Sequence, residues 1–154
     1  MPTDRITTFY AAFAALDGEA MAECYAPDVV FEDPAFGRLT GRDPGDMWRM
    51  LCGSGAGPTV TFDVVESTPT SAVVRWTADY AFGPRRRPVH NEVTSRLTTK
   101  DGLIVDHRDT FDFWRWSAQA LGLPGRLLGW SPMVRARVRA TARGRLAAFQ
   151  ARTA

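Results

Sequence analysis

Apolar side chains recur at helical spacing along the first sixteen residues. Ile6, Phe9, Tyr10, Phe13 and Leu16 form one stripe, Asp4 can cap its start, and Asp17-Gly18 breaks it. Met21, Cys24 and Tyr25, at i, i+3 and i+4, predict a second short helix that Pro27-Asp28 ends, followed by a brief strand over 29–33. Asp43-Pro44 gives a capped helix start with proline in the first turn, for a helix carrying Met47, Trp48 and Leu51. Beyond a glycine-rich turn at 53–57 the period changes to two. Strands are expected over 58–66, 72–82, 89–99 and 103–114, separated by Pro69, Gly83-Pro84 and Asp101-Gly102, the last a strong hairpin signal. Helices first and antiparallel strands afterwards predict an α+β domain rather than a doubly wound sheet.

After the last strand the pattern loosens. The segment 121–130, rich in leucine and glycine, reads as an apolar loop, a lid or a subunit contact. From about Pro132 a final helix carries Val134, Val138, Ala142, Leu146 and Phe149 along one side, a stripe that needs an apolar partner.

At 154 residues, 45% hydrophobic and 23% charged, the chain has the size and composition of one soluble domain with its own core. The first residues are not basic and no apolar signal core follows them, so a cytoplasmic location is expected. Cys24 and Cys52 fit no metal or redox spacing and read as plain thiols. No acidic residue follows Asp112, whereas eight arginines do, so the tail carries +8 and the preceding part −6. The tail is expected to fold back onto its own acidic domain or a twin subunit. Nucleic acid is disfavoured because no aromatic residues interleave the arginines. The final helix has a narrow apolar side without tryptophan, which weighs against a membrane.

Strand parity locates the candidate chemistry. Val29, Phe31 and Asp33 share one face of the first strand, and Val105, His107, Asp109 and Phe111 share one face of the last. Arg75, Thr77 and Asp79 oppose Trp76, Ala78 and Tyr80, while Asn91, Val93, Ser95 and Leu97 line up on the next strand. A carboxylate on an apolar face is costly unless it is paired, hydrogen-bonded or neutral, and burial raises its pKa toward the range a general acid or base needs. If Asp33, Asp79 and Asp109 converge with His107, the parts for proton shuttling are present. Each also has an ordinary reading: Asp33 as a turn former before Pro34, Asp109 as an ion-pair partner of Arg75 or Arg96, His107 as a satisfied core residue. His107 and Asp109 lack a third ligand nearby, so no metal is expected.

The runs Phe9-Tyr10-Ala11-Ala12-Phe13, Asp17-Gly18 and Tyr25 through Pro34 resemble the opening of SnoaL-like and ketosteroid isomerase-like proteins of the nuclear transport factor 2 superfamily. The strand Gly102 through Asp112 resembles the last strand of their relatives, among them limonene-epoxide hydrolases. The resemblance spans about residues 4–116. It implies a cone-shaped, cystatin-like α+β fold: a curved mixed or antiparallel sheet wrapped by N-terminal helices over residues 1–116. Residues 117–154 are then an added loop and basic helix packed on the same domain or on a homodimer mate. Asp33 corresponds to the isomerase base, while no carboxyl group stands near 93–95 for that enzyme's second acid. Asp109 and Asp79 correspond to the two hydrolase acids, with Thr77 where the arginine between them would stand. In SnoaL-like cyclases a last-strand aspartate, here Asp109, is the acid/base. The resemblance and the faces together imply cofactor-independent acid/base chemistry on a small apolar substrate, with Asp33 and Asp109 as proton carriers and His107 tuning Asp109. Tyr10, Phe31, Trp48, Thr77, Asn91 and Phe111 would line the pocket. The rival expectation is a non-catalytic binding or dimerisation domain.

Overall fold

The computed structural model describes residues 2–53 and 57–153; residues 54–56 of the glycine-rich turn lie outside the described residues. The elements run α1 (Pro2–Ala14), α2 (Gly18–Glu23), β1 (Tyr25–Asp33), β2 (Gly37–Thr40) and α3 (Asp43–Cys52). Then follow β3 (Thr59–Ser67), β4 (Ser71–Phe82), β5 (Arg87–Lys100), β6 (Leu103–Thr110), α4 (Phe113–Leu121), α5 (Leu123–Leu128) and α6 (Pro132–Thr153).

The six strands form one mixed sheet in the order β2-β1-β6-β5-β4-β3. Only β1 with β6 is parallel; the other neighbours are antiparallel. Asp101 (φ 53°) and Gly102 (φ 78°) make the predicted tight hairpin between β5 and β6. Alternation decides the faces. Ala72, Val74, Trp76 and Ala78 of β4 and Val89, Val93, Ser95 and Leu97 of β5 are buried against the helices. The stripe Ile6, Phe9, Tyr10 and Phe13 of α1 lies on that side with Met47 and Trp48 of α3, forming one core with Val29 and Phe31 of β1.

Four local expectations need correction. The strand predicted over 29–33 begins at Tyr25, so Pro27-Asp28 lies within β1 and does not terminate a helix. The proline is accommodated because pairing with β6 is irregular between Tyr25 and Val30, where no ladder donor is required. Helix α1 begins at Pro2, so Asp4 stands in its first turn, still favourable to the helix dipole, rather than at the cap. The last strand stops at Thr110 because the Asp112 side chain caps α4, accepting from the Arg115 N–H at 3.0 Å. The expected loop at 121–130 is largely helical, with Gly122 (φ 72°) separating α4 from α5.

Helix α6 folds back onto its own domain. Leu146 is buried in the main core, and Val134 and Val138 pack on a second cluster made by Val89, Phe113, Trp116 and Ala120. Arg143 donates to the carbonyls of Phe36 (2.9 Å) and Arg38 (2.6 Å), clamping α6 over the β1–β2 turn. Gln150 reaches Asp43 (2.7 Å) and Asp46 (3.0 Å) on α3. Asp46 is buried, yet hydrogen bonds from Gln150, Arg42 and Arg49 outweigh the burial and hold its carboxyl below the usual range.

Candidate functional site

Parallel pairing of β1 with β6 sets Phe31 beside His107 and Glu32 beside Arg108. Parity then puts Phe31, Asp33, His107 and Asp109 on one inward face at one end of the two strands. His107 is wholly buried and Asp109 is 5% exposed. The edges and faces of Phe9, Tyr10, Tyr25, Phe31 and Trp48 surround the imidazole, with ring centroids 5.0 to 6.5 Å away.

A directed chain of hydrogen bonds crosses this interior. Trp48 can only donate, and its indole N–H meets the Tyr25 hydroxyl at 2.8 Å. Tyr25 passes its own proton to His107 Nδ1 at 2.8 Å, which leaves Nε2–H to donate to Asp109 Oδ1 at 2.7 Å. From β4 the Trp76 indole donates to Ser95 Oγ at 2.7 Å, and Ser95 donates to the same Asp109 oxygen. With Nδ1 accepting from Tyr25 and Nε2–H directed at Asp109, every hydrogen in this chain is used. Tyr10 Oη stands 3.5 Å from Nε2, a long contact. Burial, followed by the charge of Asp109, pushes the Tyr10 hydroxyl well up. Burial also raises Tyr25 against the opposing Trp48 hydrogen bond.

Asp33 stands at the rim, half-buried at the end of β1. Its Oδ1 accepts the backbone N–H groups of Ala35 (2.9 Å) and Phe36 (2.5 Å), the turn-forming geometry expected before Pro34. Burial pushes this carboxyl up to about 7, the charge of Asp109 adds to the rise, and the two backbone N–H groups and His107 oppose it. Neither Asp33 nor Asp109 forms an ion pair with an arginine among the described residues.

The other expected site residues divide. Tyr10, Phe31 and Trp48 border His107 as described, Asn91 is half-buried on the inward row of β5, and Phe111 bridges the two apolar clusters. Asp79 and Thr77 are not brought to the site: their parity on β4 turns them to the outward face. Asp79 there holds His90 at 2.7 Å, and Thr77 meets Thr61 at 2.6 Å. A groove of about 730 Å³ opens on that outward face between Thr61, Asp63, Arg75, Thr77 and Glu92, away from His107. The spacing also missed three members, among them Trp76, the donor to Ser95. Ser95 was visible as a polar residue in an apolar row, a position that demands a buried partner. Tyr25 was hidden by its assignment to a helix.

A curved mixed sheet with helices packed on its inward face, where Asp33 and Asp109 also turn, is the architecture of the cone-shaped α+β class of ketosteroid isomerase-like and nuclear transport factor 2-like domains. Residues 6–107 match the family model of the SnoaL-like domain, and the chain belongs to that family. Solved structures agree on the fold. A Catenulispora acidiphila protein with a ketosteroid isomerase-like fold, in complex with trimethylamine, aligns with a TM-score of 0.62 and 20% identity over 80% of this chain and 95% of that one. An epoxide hydrolase of M. tuberculosis, of the limonene-epoxide hydrolase-like kind, aligns at 0.60 and 20% over 86% and 94%. A loop-truncation variant of IdmH aligns at 0.60 and 26% over 77% and 98%. No curated protein sequence matches the chain.

Proposed function

We propose that this domain is a cofactor-independent acid/base catalyst for a small, largely apolar substrate, of isomerase, cyclase or hydrolase type. The observation that carries the reading is the shared inward face of Asp33 and Asp109 on adjacent parallel strands. Asp33 is the proton carrier. A carboxyl group near pKa 7 is divided between its two forms at neutral pH, so it can take a proton from a substrate carbon or hydroxyl and return it. Its two backbone hydrogen bonds both fall on Oδ1, which leaves Oδ2 for the substrate. Asp109 holds negative charge behind Asp33, and His107 and Ser95 fix its orientation.

A second reading, a non-catalytic binding domain, is favoured by the aromatic rings packed around His107. Incubation with a panel of small unsaturated ketones in D₂O separates the two. The catalytic reading predicts deuterium uptake beside the carbonyl, slowed at least about 100-fold by Asp33→Asn. Exchange that is equally fast in Asp33→Asn contradicts it. Binding of panel members without exchange supports the non-catalytic domain.

A further inference from the structure

Helix α5 does not sink its leucines into the core. It rests on α4 through Gly125 and Gly129, both buried, and a Cβ at position 125 would overlap the Ser117 carbonyl. That close backbone seat turns the remaining side chains outward. Trp114, Leu123, Leu127, Leu128, Trp130 and Met133 are from 50% to 77% exposed, and among the described residues Val65, at 40%, is the other exposed large apolar side chain. The two indoles are anchored: Trp114 donates to the Arg126 carbonyl at 2.8 Å and Trp130 to the Leu127 carbonyl at 2.9 Å. Their ring faces therefore hold a fixed position beside the leucines.

Charge decides what covers this patch. No acidic residue follows Asp112, and Arg115 and Arg126 are exposed beside Trp114, with Arg115 standing 3.9 Å from Glu92 at the surface. A hollow of about 500 Å³ lies between Trp114, Arg115, Ala118 and Arg126, with Asp112 at its edge. A two-fold contact with a second copy would set this arginine-rich surface against itself. Leucine and tryptophan at the centre with arginine at the margin is the chemistry of an interfacial segment on an anionic bilayer. The final helix lacks tryptophan, which weighed against a membrane, but α4 and the turn before α6 supply the two indoles.

We infer that the α4–α5 surface docks this domain onto the face of a membrane rich in anionic lipids, with the leucines and indoles in the headgroup boundary and the arginines at lipid phosphates. The mode is peripheral; among the described residues no helix is long and apolar enough to cross a bilayer. This inference is independent of catalysis at Asp33.

The test is flotation of the full chain with vesicles of phosphatidylcholine alone or with about 30% phosphatidylglycerol. The inference predicts at least about tenfold more bound protein on the anionic vesicles, falling about tenfold between roughly 0.1 and 0.5 M NaCl. The double variant L127S/L128S should bind at least about tenfold less. Its melting temperature should match that of the parent, because both leucines are exposed. Equal or no binding on the two compositions, or binding unchanged in L127S/L128S, overturns the inference. So does a concentration-dependent dimer, without vesicles, that the same double variant abolishes, because the patch then belongs to a second copy.

Discussion

Asp33 and His107 show how one apolar face treats two polar groups differently. His107 is enclosed and has a partner on each ring nitrogen, whereas Asp33 lies at the rim with its hydrogen bonds on one oxygen. A carboxyl raised to about 7 in the fold and near 3.8 when unfolded makes the native state bind the extra proton between those values. Its ionisation therefore costs stability that grows as pH rises from about 4 to 7 and is constant above. Asp33→Asn keeps the acceptor for Ala35 and Phe36 but cannot ionise. It is expected to match the parent below pH 4 and to exceed it by about 1–3 kcal/mol at pH 8, read from urea unfolding at both pH values. His107→Phe keeps the ring packing but removes one of the two donors to the buried Asp109 carboxylate and the acceptor of the Tyr25 hydroxyl proton. A loss of about 3 kcal/mol in the same assay is expected. The inward placement of Asp33, His107 and Asp109 was legible from parity, whereas Asp79 faces outward with His90. The length of the hydrogen-bond chain was not legible, because Trp48, Tyr25, Ser95 and Trp76 come from four elements that only the tertiary fold brings together.

Element by element, the strongly periodic segments were readable and the short ones were not. The stripe of α1 and the alternation of β4 and β5 persist for many residues, so a residue or two of error at the ends changes nothing. Strand β2 has four residues and owes its existence to pairing with β1, a long-range fact that no local period carries. The α4–α5 corner reads as a loop in sequence because glycine and proline break its periodicity, whereas in the fold Gly125 and Gly129 permit a close helix contact. Helix α6 packs its narrow stripe on both apolar clusters, with Leu146 in one and Val134 and Val138 on the other. Its polar lock, Gln150 on Asp43 and Asp46, gives a prediction at this scale. Asp46 is held below its ordinary range, so its contribution is present above pH 4 and fades as pH falls through the folded value. Asp46→Asn should cost about 1–3 kcal/mol at pH 7, with the difference from the parent shrinking towards pH 3 in thermal melts.

At the scale of the whole molecule, the sheet divides two kinds of surface. Its inward face gathers the aromatic core and the acid–histidine chain, while its outward face carries Arg75 and Thr77 in a groove and Asp79 paired with His90. The β1–β6 parallel pair links the two halves of the chain and aligns Asp33 with Asp109 across 76 residues of sequence. The tail's positive charge answers to the same division. Part of it clamps the β1–β2 turn through Arg143, and part, Arg115 and Arg126, stands beside Trp114 of the exposed patch. The central claim is that enclosure beside Asp109 tunes Asp33 for proton transfer at neutral pH. It is tested most directly by following the Asp33 side-chain carboxyl carbon by NMR from pH 3 to 9, in the parent chain and in Asp109→Asn. The account predicts a midpoint near 7 in the parent, shifted downward when the neighbouring charge is removed. A midpoint near 4, or one that Asp109→Asn leaves unmoved, contradicts it.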